Sequence, residues 1–196
     1  MASARVQQYL DELPSGLDSH PTFVPKASVF RQFLELASGV DLGKLPPALA
    51  TLAREPPLVT AWITEVQATA TYLAIADLQG WSDQQLLTRA LTLNRTLLSG
   101  PLYRILMAVV SSSMLVRGAP GRWAAMHRGI SLTTHLDSES RATITLSFPK
   151  GLVPPLIARC YATAFQAAFE VSRIKNPSVA VEASDDEHAV YSCVWQ

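Results

Sequence analysis

Among the side chains that could act as nucleophiles, a run of serines, Ser111, Ser112 and Ser113, and two cysteines stand out. A catalytic serine is usually exposed on a sharp turn between a strand and a helix. No such pattern surrounds the serine run, and the sequence lacks GxSxG, HExxH, GxGxxG and a Gly-rich phosphate loop. We therefore predict no catalytic residues and a protein that is not an enzyme. The serines are expected on a helix face or at a helix end.

One histidine stands in an apolar setting, since His127 follows Trp123 by four positions. A histidine in such a setting could ligate a haem iron, or it could be a hydrogen-bonded packing residue. Cys160 falls on the apolar side of a late predicted helix, where a thiol acts as a small apolar side chain. We predict that Trp123, His127 and Cys160 contribute to a ligand pocket. We predict no metal site and no cofactor.

The remaining candidate ligands have simpler interpretations. A calcium loop needs alternating oxygen ligands and a glycine, so the acidic run at residues 185–187 predicts a solvated hairpin turn. His135 and His188 fall on predicted strands or beside turns and are expected to be solvated. Cys160 and Cys193 lie far apart and outside any CxxC pattern, which argues against a structural zinc site and a secreted disulfide scaffold.

Helices are predicted to position these side chains, because apolar residues recur at helical spacing through the first two thirds of the chain. A stripe over residues 58–78 predicts the longest helix, and Ser82 with Gln85 predicts a capping box at the start of the next one. Shorter helices are predicted from Val6, from Val29 and from Pro46–Pro47. A helix that opens at Pro101 is expected to end at three helix-breaking residues, Gly118, Pro120 and Gly121.

After Gly129 the apolar period changes from the helical 3.6 to the alternation of strands. Two alternating runs predict an antiparallel hairpin, residues 156–174 predict a helix, and two more strands follow. The predicted fold class is α+β, in which a mostly helical N-terminal two thirds packs on a small antiparallel sheet. We predict one domain over residues 1–196, helical to about residue 128, with the sheet and last helix at about 129–196.

Charge and hydropathy limit the classes of partner. Sixteen basic and sixteen acidic residues cancel, so the positive charge that nucleic-acid binding requires is missing. Charged residues make up only 16% of the chain, which favours a homodimer whose interface uses residues 58–116. The acids Asp11 and Glu12 lie where a signal peptide needs an apolar core, and no apolar stretch reaches membrane-spanning length. We expect a cytoplasmic protein.

The chain also resembles the myxobacterial paralogous family of domains of unknown function. Three stretches carry the resemblance: VQQYLDELPSGLD, WSDQQLLTRALTLNRTLLSGPLYRILMAV and SFPKGLVPPLIARCYATAFQAAFEVSRIKNPSVAVEASDDEHAVYSCVW. The closing order of elements is similar to a wider superfold that includes four-vinyl-reductase-type domains, haem-nitric-oxide-binding domains and transport-particle subunits. This resemblance implies a dimer with an apolar ligand between helices and sheet. The Tyr-x-Ser-x-Arg haem signature and the vinyl-reductase cysteine cluster are missing, so no haem or metal site is carried over.

Together these observations predict a non-enzymatic signalling or regulatory module that binds a small apolar ligand or a partner protein. The alternative is a structural dimeric adaptor without a ligand pocket, and a third possibility is a haem or gas sensor. A pocket of several hundred Å³ would favour the first function. A large apolar surface patch over a well-packed core would favour the second.

Overall fold

The computed structural model of the chain describes residues 4–105, 107–108 and 111–196. The chain divides into two compact units. The first comprises residues 1–86 and 126–129, and the second comprises residues 87–125 and 130–196. The prediction that the whole chain forms one domain stays a prediction.

The first unit consists of helices and one short two-stranded sheet. Its helices are α1 Ala4–Asp11, α2 Ala27–Leu34, α3 Pro47–Arg54 and α4 Glu65–Leu78. Its strands, β1 Val24–Pro25 and β2 His127–Arg128, pair antiparallel. The apolar stripe predicted from Val6 is confirmed, because Val6 and Tyr9 are buried where α1 packs on α4.

A charged side chain fastens α1 to the far end of α4. Arg5 donates from its main-chain nitrogen and from Nη1 to the carboxylate of Asp77, at 3.1 and 2.9 Å. Its Nη2 donates to the carbonyl of Trp81 and to Asp83. One guanidinium therefore holds the end of α4 and the beginning of the next helix, α5 Asp83–Ser99, which continues into the second unit.

The predicted helix over residues 58–78 begins seven residues later than expected, at Glu65. The hydroxyl of Thr64 accepts a hydrogen bond from the Gln67 main-chain nitrogen and caps the helix there. The preceding residues form an ordered loop in which Trp62 makes an isolated bridge to Lys26. Tertiary pairing therefore overrides the helical period before residue 64. Because α4 begins late, α5 is the longer of the two helices. The capping box predicted from Ser82 and Gln85 is confirmed at the start of α5.

The second unit contains the four-stranded antiparallel sheet and the last helix. The strands are β3 Ser131–Ser138, β4 Arg141–Ser147, β5 Ser178–Ser184 and β6 His188–Val194, in the order β3-β4-β6-β5. The last helix, α8 Pro155–Val171, packs against the sheet, where Phe165 meets Tyr191 and Phe169 meets Trp195. The predicted α+β class is confirmed, and α8 ends three residues before the predicted boundary.

Two other helices complete the second unit, and one of them corrects a prediction. Helix α6 Pro101–Arg104 is short, and the prediction of its continuation through Leu106, Val109 and Val110 falls on residues outside those the structure describes. Helix α7 Ser112–Met126 runs through Gly118, Pro120 and Gly121, which were expected to break it. Side chains of Arg122 and Thr134 satisfy main-chain carbonyls of this helix.

Among the residues that the structure describes, no helix combines the length and apolar content that crossing a bilayer requires.

Candidate functional site

The first unit buries an acid beside a histidine. Glu65 occupies the first turn of α4, and its main-chain nitrogen donates to the carbonyl of Phe23 at 2.8 Å. His127 lies on β2 opposite Pro25. Their side chains face each other, with Nδ1 of His127 3.5 Å from Oε2 of Glu65. Glu65 is 5% exposed and His127 is 7% exposed, so the pair is removed from water.

Two hydroxyls lie beside this acid–histidine pair. Tyr9 and Thr69 are both buried, at 2% and 4% exposure. Burial raises the pKa of Tyr9, and the neighbouring Glu65 carboxylate raises it further, against a hydrogen bond with the Thr69 side chain that lowers it. The phenol is therefore a neutral hydroxyl at physiological pH. The cluster of Tyr9, Glu65, Thr69 and His127 joins α1, α4 and β2 inside the first unit.

This polar cluster has a defined chemical capacity. Nδ1 of His127 lies within ion-pair distance of the Glu65 carboxylate, and Nε2 is the second polar atom of the imidazole. Such a pair can orient a polar end of a ligand. Removing an acid and a base from water costs stability unless the two compensate each other. His127 is therefore more than an apolar packing residue.

Trp123 belongs to an aromatic cluster in the second unit. Its indole nitrogen donates to the carbonyl of Ile130 at 2.9 Å, in a buried hydrogen bond. Its ring meets the edge of Tyr161 at 5.3 Å between ring centres and lies 6.0 Å from Phe165. Phe165 in turn contacts Tyr191 at 4.9 Å. The cluster connects α7, α8 and the sheet.

Cys160 lies on α8 and is buried at 6% exposure, one residue before Tyr161. Its carbonyl accepts a hydrogen bond from the Thr163 hydroxyl at 2.7 Å. The nearby Tyr191 hydroxyl donates to the carbonyl of Ala158 at 3.1 Å. Burial raises the pKa of Tyr191, and the proximity of Cys160 adds to the effect.

The other cysteine is buried in β6. Burial raises the pKa of Cys193 to about 12, with a smaller contribution from the Asp137 carboxylate. The thiol is therefore protonated at physiological pH and is a poor nucleophile and metal ligand.

The structure distributes the predicted pocket residues over both units. Trp123 and Cys160 lie in the second unit, where Trp123 contacts the neighbour of Cys160 on α8. His127 belongs to the first unit. Whether the three form one ligand pocket stays a prediction. Sequence reasoning missed Glu65 because it began this helix at residue 58, although Thr64 is a recognisable helix cap.

The remaining histidines of the sheet lie in solvent, as predicted. His135 is 80% exposed, and its Nδ1 lies 2.7 Å from Oδ1 of Asp137. Hydrogen bonds from His135 and Thr143 lower the pKa of that aspartate. His188 is half exposed beside Asp185, whose carboxylate accepts from two main-chain nitrogens of the turn. Within the described ranges, no group of three or more His, Cys, Asp or Glu side chains could hold a metal ion.

The comparisons with known proteins identify the fold. No protein-family model matches the sequence, and no curated protein gives a match. Among solved structures, the chain is similar to an oxygen-binding H-NOX domain related to soluble guanylate cyclases, with a TM-score of 0.60 and 6% identity over 87% of this chain and 95% of that one. A structure from work on haem redox potential and porphyrin distortion gives a TM-score of 0.59 at 5% identity, over 87% and 99% of the two chains.

A third similar structure is an unliganded Fe(II) H-NOX variant from K. algicida, with a TM-score of 0.57 and 11% identity over 87% of this chain and 96% of that one. At these identities the likeness concerns the fold alone. The fold of this chain is thus similar to that of H-NOX domains, in agreement with the superfold to which the sequence was compared.

Proposed function

We propose that this protein is a non-enzymatic signalling or regulatory module that binds a small apolar ligand or a partner protein. The observation that carries the proposal is the fold, which is similar to H-NOX domains over 87% of the chain.

The aromatic cluster of the second unit supports an apolar ligand. The indole nitrogen of Trp123 and the hydroxyl of Tyr191 both donate to main-chain carbonyls inside this unit. A ligand in contact with the cluster would therefore meet ring faces and edges, which favour apolar surface. Tyr161 and Phe165 extend this surface along α8.

The similar structures raise the question of haem, since one is an oxygen complex and another concerns porphyrin distortion. His127 is the histidine that the sequence selected as a possible haem ligand, and it is buried beside Glu65. The two haem carboxylates also need cations or hydrogen-bond donors wherever they are buried. Among the described residues no lysine or arginine is buried, and the acid Glu65 lies beside His127. We therefore do not include haem in the proposed function.

We accordingly expect the purified protein to be colourless. An absorption spectrum of the protein, before and after incubation with hemin and removal of the excess, checks this expectation. A Soret band that disappears in the His127→Ala variant would establish the haem or gas sensor in its place.

We also propose that the protein is a homodimer. Within the predicted interface, residues 58–116, the part that lies in the second unit exposes Ile105 at 84% and Met114 at 50%. The same observation favours the second candidate, a structural dimeric adaptor without a ligand pocket. Membership of the myxobacterial paralogous family, a bacterial origin and a cytoplasmic location stay predictions.

Native mass spectrometry of the full chain tests this proposal, because it reports copy number and retained ligand together. We expect two copies with a retained apolar small molecule, and a lower retained fraction in the Trp123→Leu variant. Asp186→Ala, on the exposed hairpin tip, is the matched control and should retain the wild-type amount. A dimer without ligand would favour the adaptor, and a monomer without ligand or partner would contradict both functions.

A further inference from the structure

The loop of residues 56–62 in the first unit presents apolar side chains to solvent. Leu58 is 78% exposed and the adjacent Val59 is 48% exposed. The loop joins α3 to the cap of α4 and runs beside the beginning of α2. Exposed leucines occur singly on many proteins, but here two adjacent apolar side chains are exposed together.

The main-chain carbonyls of the loop are satisfied within the protein. Nη1 of Arg31 donates to the carbonyls of Pro56 and Pro57, at 2.8 and 3.0 Å. The carbonyl of Leu58 accepts from the main-chain nitrogen of Ala61. The next three carbonyls accept hydrogen bonds from α2 and from Lys26, the residue before it. The Val59 and Ala61 carbonyls accept from the main-chain nitrogens of Ser28 and Ala27. The Thr60 carbonyl accepts from the Lys26 ammonium.

These hydrogen bonds affect the energetic cost of moving the loop from water into an apolar medium. A main-chain polar group that enters an apolar medium without a partner costs several kcal/mol in general. Six consecutive carbonyls, from residue 56 to residue 61, already have partners here. The two prolines at the start of the loop carry no N–H group. The carbonyls of the loop therefore add little polar cost when it enters an apolar medium.

Positive charge surrounds the same loop. Nζ of Lys26 lies 4.2 Å from the ring centre of Trp62, and the guanidinium carbon of Arg128 lies 4.1 Å from it. Arg31 adds a third cation, and Glu55 is the nearest acid in the sequence. Tryptophan with neighbouring lysine or arginine is typical of protein surfaces at the membrane–water boundary.

We propose that the loop of residues 56–62 is a peripheral attachment site for an anionic lipid surface. Leu58 and Val59 enter the boundary between headgroups and acyl chains, while Lys26, Arg31 and Arg128 lie against the lipid headgroups. An acidic protein partner would present the same charge. A protein interface, however, uses about one hydrogen bond per 100–200 Å², and the loop carbonyls are already occupied. The observations therefore favour a lipid surface.

Co-sedimentation with vesicles tests the proposal. The full chain is mixed with vesicles of phosphatidylcholine alone or of equal parts phosphatidylcholine and phosphatidylserine. We expect binding to the anionic vesicles only, weakened by salt. The double variant Leu58→Ser, Val59→Ser should bind at least about tenfold more weakly, because two apolar side chains are lost from the lipid phase. Arg128→Gln should lose about fivefold.

The matched control is Val194→Ser, which removes an apolar side chain of 39% exposure from the sheet of the second unit and should bind as wild type. Circular dichroism confirms that each variant is folded. Equal binding by the double variant and wild type would overturn the proposal, as would equal losses in the control. In a separate experiment, binding of a fluorescent peptide of alternating Glu and Leu is measured. Its binding in the absence of vesicle binding would overturn the lipid assignment in favour of an acidic protein.

Discussion

The hydroxyl of Thr134 in β3 donates a hydrogen bond to the main-chain carbonyl of Val116 in α7, at 3.1 Å. In a regular helix that carbonyl would accept from the main-chain nitrogen four residues later. The residue four positions later is Pro120, which has no N–H group. Thr134 therefore supplies from the sheet the donor that the proline removes from the helix.

Replacing Thr134 by valine should destabilise the protein by about 1–3 kcal/mol, because the shape is kept while a buried carbonyl loses its donor. Val116 is only 2% exposed, so water cannot readily replace the hydroxyl. Urea unfolding of the Thr134→Val variant measures the change. In a Pro120→Ala background, which restores the helical donor, the same substitution should cost clearly less. Equal costs in both backgrounds would contradict this explanation.

Phe165→Ala should lower the free energy of unfolding by about 3–5 kcal/mol, because the substitution leaves a cavity between α8 and the sheet. Phe165 is 8% exposed and contacts Trp123 and Tyr191. Thermal unfolding followed by circular dichroism measures the loss. Asp186→Ala is the control, because its side chain is 69% exposed and its ion pair with Lys150 is a surface pair of small value. Similar small shifts in both variants would show that α8 is not part of the core.

The buried pair of Glu65 and His127 should behave as a coupled unit. Glu65→Leu or His127→Leu alone should each destabilise the protein by about 1–3 kcal/mol or more, since each leaves a buried polar partner behind. The double substitution should cost less than the sum of the two. Chemical unfolding of the four proteins measures the coupling. If the two losses add, Glu65 and His127 do not interact energetically, although their side chains lie 3.5 Å apart.

Stability should decline in alkali. Burial raises the pKa of Cys193 from its ordinary value of 9.0 to about 12, so the folded protein holds this proton more tightly than the unfolded chain. Its contribution is complete below pH 9.0 and is lost as the pH rises through about 12. Tyr9 and Tyr191, whose pKa values burial also raises, act in the same direction.

Urea unfolding between about pH 8 and about pH 11 measures this decline. The Cys193→Ala variant should show a shallower slope, since it lacks one of the groups that hold a proton in the folded state. A slope unchanged by that substitution would contradict the burial of the thiol. Ellman's reagent gives an independent measurement, because the folded protein should leave Cys193 unmodified until denaturant is added.

The features predicted from the sequence are those that local residues determine. The side chains of Ser82 and Gln85 each accept a hydrogen bond from the other residue's main-chain nitrogen. This capping box can therefore be predicted from the local sequence, without any tertiary contact. The alternation of the strands likewise reflects one buried and one exposed face, and their antiparallel pairing follows from short turns.

The errors occur where a distant residue supplies what the local sequence lacks. Pro120 was expected to end a helix, but Thr134 compensates for its missing donor from another element. The stripe over residues 58–78 shows helical spacing, but Lys26 pairs with Trp62 and fixes the chain in a loop. The candidate site also depends on a residue that is distant in the sequence. His127 was selected for its apolar neighbours in sequence, whereas its carboxylate partner comes from a helix that begins at Glu65.

The path of the chain between the two units has a consequence for dissecting the protein. Residues 126–129 return to the first unit after the chain has built α7, so this unit is not one continuous stretch of sequence. A fragment that stops at residue 86 would leave β1 without β2, Glu65 without its imidazole and Trp62 without the guanidinium of Arg128. Neither truncation nor a fusion point between residues 86 and 126 can therefore isolate the first unit. A fragment meant to contain the whole unit has to carry residues 126–129 joined to the segment that ends at residue 86.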